Sequence, residues 1–221
     1  MKRIFDLALS AFALLVLSPL LVPLTLMLRL TGEGEIFYMQ PRVGLNGKLF
    51  NIFKFATMLK DSPNIGSGTL TMRNDARVLP FGVFLRKTKI NELPQLLNIL
   101  FGHMSIVGPR PLVPSGEANY TPSQAIIIRS VRPGVTGIGS LMLRDEESFY
   151  AHRSDAHDFY RNEISPYKAS LEIWYVENQS FLLDIQIIVL TAAAILFPNL
   201  RAEKTFSSLP PMPISMSDSK H

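Results

Sequence analysis

Cysteine is absent from this 221-residue chain, which excludes disulfides, thiolate metal sites and a cysteine nucleophile. A chain without thiols fits a reducing cytosolic face. Charge is sparse as well. Only 18% of residues are charged against 47% hydrophobic, and 22 basic and 18 acidic residues leave a net charge of +4. That excess is too small to point to nucleic acid, but it suits an anionic lipid surface or phosphate-bearing substrates. Histidine is scarce, and His152 and His157 neither share a helical face well nor have a third ligand candidate. They read as surface residues. No internal repeat is present, and the length suits one domain with an appended segment.

Apolar sequence is abundant, in two runs. From Ile4 to Leu28, IFDLALSAFALLVLSPLLVPLTLML is interrupted only by Asp6, Ser10, Ser18 and Thr25, apart from its prolines. As a straight helix it would reach roughly 37 Å, enough to cross a hydrocarbon core. Pro19 and Pro23 oppose a straight rod, because each removes a helical N–H and pushes back the carbonyl one turn earlier. The Ser18 hydroxyl is placed to bond a freed carbonyl. Basic residues flank both ends (Lys2-Arg3 and Arg29), whereas a spanning helix is usually basic on one side only. A re-entrant hairpin broken at Ser18 and Pro19 meets these constraints best. A single span and a cleaved signal peptide are the competing readings, and RLTGEGE offers the latter no small-x-small cleavage site. The second run, Phe181–Phe197, has only 13 uncharged residues after Asp184, too few to span. It reads as an interfacial helix or a core helix.

Between the runs the pattern is mixed. Glu35–Gln40 and Lys48–Thr57 read as strands, and Asn46-Gly47 between them is a two-residue turn signal, so a hairpin is predicted. DSPNIGSG reads as a loop. Helical periods cover Glu92–Phe101, Pro122–Ser130 and Asp155–Val176, the last interrupted by Pro166. From Arg201 onward no period is present, and a flexible tail over 201–221 is predicted. The fold class is therefore mixed, helix-rich α/β. A re-entrant membrane helix over 1–34 precedes one compact cytoplasmic domain over 35–200 with interfacial helices.

Several short motifs have residue types suited to phosphate chemistry. GPRP, at Gly108–Pro111, holds Arg110 between two prolines that fix the backbone, which suits a bidentate phosphate grip; a stiff surface loop is the plain alternative. RPGVTG, from Arg132, repeats the theme, and Arg144-Asp145-Glu146-Glu147 follows. Acids in a row are usually a solvated face, although beside Arg110 they could hold a divalent cation. Lys54, near the end of a predicted strand, suits a phosphate contact or an edge-strand charge. Asn91-Glu92 reads first as a helix start, with Asn91 as N-cap, Glu92 in the first turn and Pro94 costing no intrahelical bond. Such a helix aims its N–H groups at any nearby phosphate. Asp would cap equally well, so an Asn there keeps the architecture and changes only the chemistry.

LRKTKINELPQLLNILFGHMSIVGPRP, RPGVTG, KFATM and the N-terminal KRIFDLALS…LSP together resemble the bacterial sugar transferases known as monotopic phosphoglycosyl transferases, in the family's order over roughly residues 1–198. The resemblance implies transfer of a sugar-1-phosphate from a nucleotide diphospho-sugar, a UDP-sugar by analogy, to polyprenyl phosphate with release of UMP. That is the first membrane step of glycan or exopolysaccharide assembly. It implies a re-entrant helix broken at Ser18 and Pro19, seated from the cytoplasmic face in the bacterial inner membrane, with inner-membrane lipid as a partner and a homodimer admitted. It implies a catalytic pair at Asn91 and Glu92, the same two residues holding Mg²⁺. Arg110, Lys54, Arg86, Arg132, Arg144 and Asp145 are the implied substrate-binding set. Three positions depart from the family pattern. Asn91 stands where the nucleophilic Asp is usual, Ala56 where many members carry Lys or Arg, and GIGSLMLRDEE replaces a GxxQVxGR ending. The first departure opens a second reading: a catalytically impaired relative that binds nucleotide sugar or scaffolds glycan assembly.

Overall fold

The computed structural model describes residues 1–221 except 32, 66–74, 151–152, 154, 198–199, 201, 207 and 218–221. His152 and the end of the DSPNIGSG loop lie outside the described residues. The described structure is helix-rich, with two two-stranded sheets. Its contacts divide the chain into two compact units, Met1–Pro41 with Asn51–Gly102, and Arg42–Phe50 with His103–His221. This partition differs from a membrane helix followed by one domain, because the apolar helix packs as part of the first unit.

In the first unit, α1 (Lys2–Leu30) is helical straight through Pro19 and Pro23. The N–H missing at Pro19 would have bonded the Leu15 carbonyl, and Ser18 Oγ donates to that oxygen instead at 2.8 Å. Among the described residues α1 is the one helix long and apolar enough to cross a membrane, with a mean hydropathy of 2.4 in its most apolar stretch. Leu15, Leu20, Val22 and Leu26 are exposed, while Asp6 and Ser10 are buried on the face toward the protein. Near its start, Arg3 donates to the Ile99 carbonyl at 2.6 Å, a cation at the C-terminal end of α3 (Gln95–Leu100).

Strands β1 (Phe37–Val43) and β2 (Leu49–Phe55) form the predicted hairpin. Asn46 and Gly47 both take positive φ, 54° and 76°, as a turn matching the twist of paired strands demands. After β2 the chain meets α2 (Pro80–Lys87), and Leu24, Leu28, Phe55 and Leu85 make the small core between α1, β2 and α2. Asn98 on α3 fastens that helix to β2, accepting from Phe53 N at 2.9 Å and donating to Asn51 O at 2.7 Å.

The helix start predicted at Asn91 is corrected by the structure. Ile90–Glu92 form a separate 3₁₀ turn, and α3 begins only after Pro94, which caps it without a side-chain bond. The turn is entered through Lys89 in the left-handed region, so the chain direction changes just before Asn91 and the capping geometry is lost.

The second unit is built around parallel strands β3 (Ser105–Val107) and β4 (Gly134–Thr136), paired Ser105 to Gly134 and Val107 to Thr136. Between them run α4 (Pro114–Glu117) and α5 (Pro122–Ile128), the latter opened by a Thr121–Gln124 capping box. Then come α6 (Ile138–Met142) and α7 (Ala156–Phe159), followed by a π-helical turn over Tyr160–Ile164 and α8 (Ser165–Glu177). The π turn sits just before Pro166, where an N–H is missing from the helical ladder. Helix α9 (Phe181–Leu196) resolves the reading of the second apolar run into both of its alternatives. Leu183, Asp184, Ile187 and Ala194 are buried, whereas Leu182, Val189, Ile195 and Leu196 are exposed.

The stretch expected to be a tail behaves otherwise. Ala202, Phe206 and Met216, the last in α10 (Ile214–Ser217), lie buried in the same core as Leu171, Tyr175 and Ile187. Aperiodic, proline-bearing sequence can lie extended over a core and bury scattered apolar residues without forming a long element.

Candidate active site

In the first unit, Asn91 and Glu92 occupy the 3₁₀ turn and meet different surroundings. Lys54 Nζ lies 3.0 Å from Glu92 Oε1, with side-chain exposures of 18% and 19%, so the charged pair is sheltered but reachable. Lys54 and Glu92 were both expected at the site, and the structure joins them directly. Asn91 is buried, and its Oδ1 has no hydrogen-bond partner among the described residues. A buried amide oxygen without a donor costs about 1–3 kcal/mol. A fold does not keep that arrangement for stability; it suits a position where a ligand or ion supplies the missing partner. Arg86 lies half-buried in the last turn of α2. Ala56, one of the three departures, lines a cavity of about 240 Å³ with Leu28, Met58, Leu79 and Phe81. A long basic side chain there would occupy that space.

The second unit interlocks the two Arg-Pro-Gly motifs. Gly108 N donates to Thr136 O at 3.0 Å, and Gly134 N donates to Pro109 O at 2.9 Å. A Cβ on Gly108 would meet Arg132 O at 2.4 Å, and one on Gly137 would meet Gly108 O at 2.2 Å, so the segments pack backbone against backbone. The GPRP loop continues to be held downstream. Arg110 N donates to Glu172 Oε1 at 3.1 Å, Arg42 Nη1 to Pro111 O at 3.0 Å, and Val43 N to Leu112 O at 2.9 Å. Five consecutive residues, Gly108 to Leu112, are each tied by one backbone atom.

Other expected residues take structural contacts. Arg144 donates to the Ala194 carbonyl in the last turn of α9. Glu146 accepts from Lys168 at 2.7 Å, while Asp145 is exposed. Arg132 is half-buried. Among the described residues no three His, Asp or Glu side chains gather to hold a metal.

Sequence reading missed Glu172 and Arg42. Lys168 and Glu172, four apart on α8, look like an exposed helical ion pair, yet both are buried. Burial pushes the Glu172 carboxyl up to about 7, against the opposing effects of the Arg110 N–H bond and of the Lys168 and Arg110 charges. Burial also pushes the Tyr120 hydroxyl well above its ordinary value, and the Glu172 charge adds to this. The one available signal was an acid set between Leu171 and Ile173 in an otherwise core-like helix.

Comparison with known proteins identifies the family. The family model described as "Bacterial sugar transferase" matches residues 1–198. An undecaprenyl-phosphate glucose phosphotransferase of Komagataeibacter xylinus is 37% identical over 86% of this chain and 35% of its own length. An exopolysaccharide production protein of Rhizobium meliloti is 33% identical over 88% of this chain and 84% of its own. A UDP-glucose:undecaprenyl-phosphate glucose-1-phosphate transferase of Klebsiella pneumoniae is 32% identical over 86% of this chain and 39% of its own. The chain thus spans little more than a third of two of these relatives and most of the third. A family match over residues 1–198, joined by relatives more than 30% identical, places it: this protein belongs to the bacterial sugar transferase family.

Proposed function

We propose that the protein transfers a sugar-1-phosphate from a nucleotide diphospho-sugar, a UDP-sugar by analogy with the K. pneumoniae relative, to undecaprenyl phosphate, releasing UMP. The observation that carries the reading is the sheltered Lys54–Glu92 pair beside the buried, unpartnered Asn91 Oδ1, in the same unit as the apolar helix. In the family's chemistry, by resemblance, a carboxylate at position 91 attacks the sugar-linked phosphorus and the nucleotide's phosphate oxygen leaves. An oxygen of the lipid phosphate then attacks the same phosphorus and frees the carboxylate. Lys54 holds Glu92 in place, and Arg110, whose backbone N–H is held by Glu172, offers its guanidinium fork to a phosphate.

Mg²⁺ fits the residues present in a limited way. The Glu92 carboxylate and Asn91 Oδ1 would be its protein ligands, with water and substrate phosphates filling the rest, the usual pattern for this ion, and it would offset phosphate charge. Asn91 brings no negative charge and little nucleophilicity, which favours a second reading: a chain that binds donor and turns over slowly. Release of UMP from UDP-glucose in the presence of a short-chain polyprenyl phosphate separates the two. Catalytic release by the natural sequence supports the transferase, whereas binding without release supports the impaired relative.

The membrane placement is part of the same proposal. We place α1 as a re-entrant helix with both ends at the cytoplasmic face of the inner membrane, supported by basic residues at each end and by the missing N–H at Pro19, whose freed Leu15 carbonyl Ser18 satisfies. Cysteines introduced at Lys2 and Thr31 should both resist labelling from the periplasmic side in intact cells. Labelling of either one from that side sinks the re-entrant placement.

Arg110 allows a sharper test. If its fork grips a diphosphate, Arg110→Lys keeps the charge and loses the geometry, so donor affinity should fall by about ten- to hundredfold, the worth of one charge-assisted contact. Equal binding by the Lys variant rules out the bidentate role.

A further inference from the structure

Glu172 is fully buried yet serves none of the chemistry above. It sits mid-way along α8 with Oε1 bonded to Arg110 N and Oε2 without a hydrogen-bond partner among the described residues. The space around it is shaped to admit it. A Cβ on Gly139 would come within 2.5 Å of Oε1, so α6 gives up a side chain where the carboxyl lies. A hydrophobic residue of similar length would fill that space without burying an acid, at lower cost. What the acid supplies that such a residue could not is a hydrogen-bond acceptor for the backbone of the GPRP loop.

We propose that Glu172 is a positioning residue for Arg110: its carboxyl holds the Arg110 N–H from beneath and thereby sets where the guanidinium meets the donor diphosphate. The proposal rests on the phosphate-binding reading of Arg110. Proline on either side leaves the Arg110 amide as the one N–H in the Pro109–Pro111 segment, so no neighbouring bond can substitute for this one. The remaining ties to the loop, at Gly108, Pro109, Pro111 and Leu112, fix its ends and leave its centre to Glu172.

A pH dependence follows. The charged and titratable groups acting on the carboxyl are Arg110, Lys168 (itself paired with Glu146) and the Tyr120 hydroxyl. With burial raising the carboxyl to about 7, the group is mainly neutral below that pH and mainly carboxylate above it. A carboxylate accepts the amide bond more strongly than the acid does. Donor affinity should therefore rise as pH increases through neutrality, because the guanidinium and the pyrophosphate diester keep their charges throughout that range.

The test uses the full chain in detergent or nanodiscs, with UDP-glucose as the probe. Equilibrium binding and hydrogen exchange at the Arg110 amide are read for the natural sequence, Glu172→Gln, Glu172→Met and Arg110→Ala. Glu172→Gln keeps an acceptor oxygen and cannot titrate. It should preserve slow exchange and near-natural affinity but lose the pH step, expected at roughly threefold. Glu172→Met should speed exchange at Arg110 and weaken donor binding about tenfold. Unchanged exchange in the Met variant, or a pH step that persists in the Gln variant, overturns the proposal. If the Met variant does not fold, the Gln variant's pH profile decides alone. If Arg110→Ala binds donor normally, the phosphate reading of Arg110 fails, and the amide exchange still judges the clamp separately.

Discussion

Asn91→Asp should raise turnover by on the order of a hundredfold or more while lowering the stability of the ligand-free protein. Both effects follow from one atom. Asn91 Oδ1 is buried without a donor, so an Asp at that position places a carboxylate where the amide oxygen lies and restores a nucleophile to the site. The same charge, buried without a partner, costs more than the neutral amide it replaces, which predicts a lower melting temperature that donor and Mg²⁺ recover. Glu92 is the competing nucleophile, but it is ion-paired to Lys54 at 3.0 Å. Its extra methylene would also shift the attacking oxygen by about an ångström, a displacement that can cost about a hundredfold. Intact-mass measurement after incubation with UDP-glucose alone should show a phospho-sugar adduct on the Asp variant and none on the natural sequence. An adduct on the natural sequence refutes the blocked mechanism, and mapping it names the true nucleophile. In that case Asn91→Asp should change little, and Glu92→Gln or Asp145→Asn should abolish turnover, according to which residue is labelled.

Gly134→Ala should be the most destabilising single-methyl change in the second unit. The new Cβ would lie 2.1 Å from Gly108 N, 2.3 Å from Thr136 O and 2.7 Å from Gly108 O, all backbone atoms. Side chains can rotate away from such a clash, but the Gly108 atoms can move only by parting the GPRP loop from β4, and Thr136 O only by bending β4 itself. The loss should reach about 3 kcal/mol, the upper end for overpacking, or a melting temperature lower by roughly 10 °C. Because the same pairing fixes Gly108 and Pro109, donor binding through Arg110 should weaken with it. Gly116→Ala is the control. The nearest atom to its Cβ is Val113 Cγ2 at 3.4 Å, ordinary contact, and stability should hold within about 1 kcal/mol. Equal melting of the Gly134 variant and the natural protein would mean that the strands are not packed backbone to backbone.

Much of this protein is determined by local sequence. The length and apolarity of residues 4–28 suffice for the long helix, and Asn46-Gly47 suffices for the hairpin turn, because two adjacent positive-φ residues are the chemistry that turn requires. Thr121 and Gln124 mark a helix start by their own reciprocal bonds. The order of motifs names the family. Tertiary structure decided the rest. Asn91 suits a cap and becomes instead a buried amide whose Oδ1 has no hydrogen-bond partner among the described residues, because Lys89 turns the chain before it. GPRP and RPGVTG look like two separate loops and become one hydrogen-bonded unit, because glycines let their backbones touch. Phe206 and Met216 lie in a stretch without period and are buried nonetheless. Glu172 resembles half of a solvated ion pair and becomes the support of a loop 62 residues earlier in the chain. Periodicity and turn chemistry act over a few residues, so sequence records them. Burial and hydrogen bonding between distant segments depend on which backbones can approach, and only the folded chain determines that.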